Sequence, residues 1–258
     1  MSRQPPGAPP PPPVQRIRLR YTKRGRLRFT SHRDIARVFE RALRRAEVPM
    51  AYSAGFSPHP KVSWVGAAAT GVASEAEYVE IALAEVREVE AIRAALDASL
   101  PDGIDLVEAV EAVPGTSLAD LVQASRWRVE LPQVAVADLE RAVSTFLASG
   151  EVTVERMTKN GRRTFDTRGP VVSMGATAGD GCAILSLVVQ HVTPAVRPDD
   201  VLTGLRQVSD LATPVPPAAT RLSQGPLAGN GEVGDPLAPG AHATAGATRQ
   251  DAEAAGSL

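Results

Sequence analysis

Polar and apolar residues alternate along QRIRLRYTK (15–23), with Ile17, Leu19 and Tyr21 on one side and Arg16, Arg18 and Arg20 on the other. A period of two predicts a half-buried strand with a basic outer face. Gly25 marks a turn, after which Leu27 and Phe29 keep the inward-facing spacing. The period then lengthens. Ile35, Val38, Phe39, Ala42, Leu43 and Ala46 recur at helical intervals and predict an amphipathic helix over 32–47. Ser31 is its expected N-cap, with the short Asp34 in place of the Glu of a capping box, and Pro49 stops it. Arg33, Arg37 and Arg41 stand one turn apart on another face, which Arg44 and Arg45 extend.

Further along, Met50–Ser53 is a short strand candidate, and GFSPHPK (55–61) is a loop held by two prolines and a glycine. Strands are predicted over 62–69, 77–83 and 104–113, with a helix over 86–99 between the last two. The second half repeats the order, with strands over 126–131, 151–157, 170–174 and 183–192 and helices over 136–148 and 199–208. The pattern predicts an α+β protein of two tandem ferredoxin-like (split βαβ) domains, a basic one over 14–116 and a second over 117–222.

Composition removes the ends from this scheme. Residues 5–13 hold seven prolines in nine positions, and 223–258 hold 7 Gly and 9 Ala without an aromatic. A disordered Pro-rich N-terminus (1–13) and a disordered Gly/Ala-rich tail (223–258) are therefore expected. The proline run reads as a spacer. No apolar run approaches the ~18 residues of a membrane helix, and no charged-then-apolar leader opens the chain, so a cytoplasmic location without membrane contact is the expectation.

The net charge of −1 conceals a division. Residues 14–64 carry 13 Lys+Arg against 3 Asp+Glu, whereas 65–258 carry 14 against 26. Function is sought at the basic end. The acidic stretch 75–111 is either a solvated surface or an internal counterpart of the basic face. Seven of the ten aromatic residues also lie before residue 80.

Three segments, GRLRFTSHRDIARVFERALRRAEVP (25–49), AYSAGFSPHPKVSWV (51–65) and SEAEYVEIAL (74–83), together resemble the signature of the radical-SAM-linked domain family. The likeness spans about 14–113 and is carried by a basic strand, an S-H-x-D helix start and a GF-x-PHP loop in one order. Arg33 stands where the family pattern carries an apolar residue. The resemblance implies a separate radical SAM enzyme as partner. This chain's single cysteine, Cys182, falls short of the three that bind that enzyme's cluster, so the chemistry does not reside here. Cys182 sits in the apolar run CAILSLVV and reads as a buried, inert thiol.

A non-catalytic RNA-binding module follows as the leading expectation. Lys23, Arg24, Arg26, Arg28, Arg33, Arg37, Arg41, Arg44, Arg45 and Lys61 are the candidate phosphate contacts. Gly55, Phe56, Pro58, His59 and Pro60 form a candidate recognition loop. Two other readings stand beside it. His32, paired with His59, Tyr52 or Lys61, could act as general base of a metal-independent endoribonuclease. Alternatively, the basic face docks an acidic protein. Two histidines with Asp34 lack an H-x-x-x-H spacing, so neither metal nor other cofactor is expected.

Overall fold

The computed structural model describes residues 10–158 and 161–239. The chain divides into two compact units, one up to Asp120 and one from Leu121 onward, and both mix helices with antiparallel sheet. Residues 1–9 of the expected Pro-rich segment and 240–258 of the expected tail lie outside the described residues.

In the first unit the chain runs through β1 (Gln15–Lys23), α1 (His32–Arg45), β2 (Val62–Val65), β3 (Ala73–Leu83), α2 (Val89–Asp97), β4 (Leu106–Glu111) and the single turn α3 (Leu118–Leu121). The sheet order is β4-β1-β3, with β2 paired to the other side of β3, and every pairing is antiparallel. The apolar side of β1 is buried as expected, but the strand is not half-buried, because Arg18 and Thr22 on its other side are buried as well. Ile17, Leu19 and Tyr21 join Val79, Ile81 and Leu83 of β3 beneath Ile35, Phe39 and Leu43 of α1 and Ile92 and Leu96 of α2. Tyr21, Phe39 and Trp64 meet edge to face, with ring centroids 4.9–6.0 Å apart, a geometry that adds to the gain from buried area alone.

Several boundaries differ from those the sequence predicts. α1 ends at Arg45 instead of 47, because the backbone turns left-handed at Glu47 (φ 51°) ahead of Pro49. Met50 and Tyr52 make only isolated bridges, to Leu83 and Pro60, instead of a strand. Leu27 and Phe29 do not continue a strand either. Gly25–Phe29 is a 3-10 turn, which leaves Phe29 exposed (64%) with the Arg28 guanidinium 5.0 Å from its ring centre.

The second unit contains β5 (Ala124–Pro132), α4 (Val136–Ala148), β6 (Thr153–Thr158), β7 (Gly161–Asp166), β8 (Val171–Gly179), β9 (Cys182–Gln190), α5 (Pro198–Ser209) and β10 (Ala218–Gly225). Its sheet runs β10-β5-β9-β8, and β6 and β7 form a separate hairpin. The sequence reading omits β7 and β10. It also starts the disordered tail at 223, yet Ser223, Gln224 and Gly225 pair with Arg126, Ser125 and Ala124, Leu227 bridges Val233, and Leu237 is buried. Glycine content misleads at this point because Gly225 serves a close backbone crossing: a Cβ there would collide with the Gly234 carbonyl. Cys182, expected to be buried, is half-exposed at the start of β9.

Candidate nucleic-acid interface

The basic residues of the first unit fall into two groups, and strand register separates them. Arg18 of β1 lies opposite Glu80 of β3, and Arg20 lies opposite Glu108 of β4. Arg16 and Arg18 both reach Glu80 at 3.0 Å, and Arg20 reaches Glu108 at 3.0 Å. The Arg18 side chain is only 4% exposed and also donates to the Thr116 carbonyl (2.9 Å) and hydroxyl (2.8 Å). The basic outer face predicted for β1 is thus neutralised by the acidic stretch, which here acts as its internal counterpart.

The turn after β1 is similarly engaged. Lys23 is buried, and its Nζ donates to the carbonyls of Ala68 (3.4 Å) and Ala69 (3.1 Å) between β2 and β3. Arg24 is held by Glu75 and, at 3.2 Å, by Asp105; the hydrogen bond it donates to the Glu75 carboxylate raises its pKa above the ordinary arginine value. Arg28 Nε donates to the Gly71 carbonyl at 3.0 Å. Among the predicted phosphate contacts, Lys23, Arg24 and Arg28 are therefore occupied within the fold. Arg26 is exposed and Lys61 half-buried.

Helix α1 carries the second group. Ser31 caps it as predicted, its Oγ accepting from the Asp34 N–H (3.3 Å). The Asp34 carboxylate departs from a full capping box, accepting the Ser31 hydroxyl at 2.7 Å. At about 100° per residue, Arg33, Arg37, Arg41, Arg44 and Arg45 fall within an arc of about 120° opposite the buried Ile35, Phe39, Ala42 and Leu43. All five are exposed. Asp34 partly offsets Arg37 at 3.5 Å, and the backbone carbonyls of Glu40 and Ser99 receive Arg44 (3.3 Å) and Arg45 (3.5 Å).

The GFSPHPK loop stands beside the C-terminal half of this helix. Its neck is cross-tied: the Ser53 N–H donates to the His59 carbonyl (2.9 Å), the His59 N–H to Ser53 Oγ (3.1 Å), and the Lys61 N–H to the Ala51 carbonyl (2.8 Å). Gly55 sits at φ 138°, open to glycine. Phe56 is 67% exposed at the tip; Pro58 and His59 are exposed and Pro60 is half-buried. A cavity of about 280 Å³ separates loop from helix, with Glu40, Arg44, Tyr52 and His59 on its walls and Leu43, Val48 and Met50 also lining it. Glu40 and the position of Tyr52 beside Arg44 went unread in the sequence, since no local pattern links residues 40 and 52.

His32 and His59 occupy different surroundings. The His32 ring lies edge-on to Trp64 at 5.2 Å, while His59 lines the cavity with Tyr52. Among the described residues neither ring receives or gives a hydrogen bond, and Asp34 is occupied by Ser31 and Arg37. No group of three His, Cys, Asp or Glu side chains suited to a metal occurs among the described residues, and no described helix is long and apolar enough to cross a membrane.

The fold and this surface define an α+β protein with a cationic helix face set beside an aromatic-tipped loop cross-tied at its neck. Residues 16–198 match the family model described as "Uncharacterized protein conserved in bacteria (DUF2344)", and the chain belongs to that family. Among solved structures it is similar to an unknown protein from Galdieria sulphuraria, at 15% identity and a TM-score of 0.23, covering 80% of this chain and 98% of that one. It is also similar to the encapsulated DyP-type peroxidase from Mycobacterium smegmatis (11% identity, TM-score 0.19, covering 84% and 94%). A third similar structure is DyPB from Rhodococcus jostii (10% identity, TM-score 0.22, covering 83% and 92%). A search of curated proteins returns no match.

Proposed function

We propose that this protein is a non-catalytic accessory module that binds structured RNA through α1 and the neighbouring loop, and that it works beside a separate radical SAM enzyme. The observation that carries the RNA reading is the arc of five exposed arginines on α1. A polyphosphate backbone rewards such an array by releasing condensed counterions. The exposed Phe56 and Phe29 offer ring faces on which unpaired bases stack. The likeness of segments 25–49, 51–65 and 74–83 to the radical-SAM-linked family supports the partner, and the single cysteine supports a supporting role over a chemical one. We further read both units as ferredoxin-like, a view supported by the strand orders β4-β1-β3-β2 and β10-β5-β9-β8 with two helices of at least nine residues in each.

The test is fluorescence anisotropy with labelled structured RNA across a salt series. Replacing Arg37 and Arg41 by Glu weakens binding and lowers the slope of log affinity against log salt by about 2, near 0.9 per lost phosphate contact. Arg16→Gln, on the neutralised sheet face, leaves both unchanged. Equal slopes for the wild type and the double variant overturn the assignment. A partner that survives nuclease treatment in pull-down establishes protein docking in place of RNA.

A further inference from the structure

We propose that the cavity between α1 and the 52–60 loop receives a single unpaired guanine of the bound RNA, with the Glu40 carboxylate reading its Watson–Crick edge. The inference rests on the RNA reading above and adds the class of RNA: a bulge or loop with an extruded guanine, not a continuous duplex.

Size is the first argument. At about 280 Å³ the cavity lies just under the ~300–1,000 Å³ of drug-sized ligand pockets, which suits one planar base. Its chemistry is the second. Leu43, Val48 and Met50 are buried and give the cavity an apolar lining, while the Tyr52 and His59 rings and the Arg44 guanidinium supply planar groups for stacking.

Selectivity comes from Glu40. This residue is half-buried, and its carboxylate has no hydrogen bond or ion pair among the described residues. Arg44, one turn on, is spaced for an ion pair with it, yet donates instead to the Glu40 backbone carbonyl at 3.3 Å. An ionised carboxylate only accepts hydrogen bonds. Among the four unpaired bases, guanine alone offers two adjacent donors, N1–H and N2–H, along its Watson–Crick edge. Adenine and cytosine set an acceptor beside the donor, and uracil places one donor between two carbonyls. The match to a bare carboxylate is therefore to guanine.

Position and rigidity complete the case. The arginine arc of α1 reaches the cavity at Arg44, so a strand whose base enters it runs its phosphates along the helix. The loop wall is already tied across its neck by the Ser53–His59 hydrogen bonds, which lowers the ordering cost of binding.

The experiment titrates the full-length protein with RNA hairpins of one stem that carry a single-nucleotide bulge of G, inosine, A, C or U, or no bulge. The G bulge binds tightest, by at least about fivefold over A, C and U, and inosine, which lacks the N2 amine, falls between. Glu40→Gln, which leaves one acceptor oxygen where there were two, removes most of the preference among the bulged hairpins. Tyr52→Leu weakens all bulged hairpins. Equal affinity for the six RNAs, or a G preference that survives Glu40→Gln undiminished, overturns the base-pocket assignment while the arginine-face reading stands. If no hairpin binds at all, the RNA reading fails and the pocket assignment goes with it.

Discussion

Removing the charge of Glu80 tests the claim that the β1 arginines serve the fold and not a ligand. In Glu80→Gln the shape is kept, but the Arg18 guanidinium, 4% exposed, loses its counter-charge and retains only neutral acceptors, the glutamine carbonyl and the Thr116 oxygens. Breaking one side of a buried pair costs roughly 3–5 kcal/mol, because an uncompensated charge remains in a poorly solvating site. The Thr116 contacts and the 11% exposure of Glu80 argue for the lower end, about 3 kcal/mol. With a urea dependence of ~1–3 kcal/mol per molar, the midpoint drops by about 1–3 M. The chain's two tryptophans are Trp64 in the first unit and Trp127 in the second, so Trp64 fluorescence in a Trp127→Phe background follows the first unit alone. A second arm replaces the pair by apolar residues, Arg18→Met with Glu80→Leu. Since no buried charge is then stranded, the Arg16 side chain left without Glu80 being 52% exposed to water, this double variant is more stable than Glu80→Gln by at least about 1 kcal/mol. A Glu80→Gln midpoint within error of wild type, or a double variant weaker than the single, refutes the reasoning.

Two other outcomes follow from the backbone and from a partly buried ring. Gly103 has φ 93°, and a Cβ there would lie 3.0 Å from the Arg24 carbonyl oxygen, whereas one on Gly150 meets nothing within 4 Å. Gly103→Ala therefore destabilises its unit by roughly 1–3 kcal/mol in urea melts and Gly150→Ala changes little; equal effects would falsify the strain argument. In the second unit, residue His191 is exposed overall, but its ring is turned inward, with Nδ1–H donating to the Val122 carbonyl (2.9 Å) and Nε2 accepting from the Ser125 hydroxyl (2.7 Å). Burial of the ring lowers its pKa below 6.5, against the Val122 hydrogen bond and with help from nearby Arg221. The unfolded chain then takes up the proton first, so this contribution to stability is present above about pH 6.5 and is lost as pH falls toward the folded pKa. Urea midpoints followed at Trp127 show that loss in the wild type and not in His191→Asn; parallel pH profiles for the two would rule it out.

Much of the first unit was legible along the chain because its information is local. The period-two run 15–23 became β1 without change of boundary, and α1 starts at His32 behind its predicted Ser31 cap. In the second unit α4 spans the predicted 136–148. Strand and helix periods state which side of an element is apolar, and that side is buried wherever the element packs.

What stands opposite a given side is another matter, and there the tertiary structure decided. Arg16, Arg18 and Arg20 look from the sequence like the arginines of α1, yet register sets Arg18 against Glu80 and Arg20 against Glu108, with Arg16 reaching Glu80 diagonally, all more than sixty residues away. Lys23 was drawn inside by two loop carbonyls, and Phe29 was turned out by a 3-10 turn. β10 and Leu227 found their place through partners about a hundred positions earlier. The cavity joining Glu40 to Tyr52 and His59 has the same origin. A side chain's polarity is written in its own identity, but whether its charge is compensated or left open to a ligand depends on groups that only folding brings within a few ångströms.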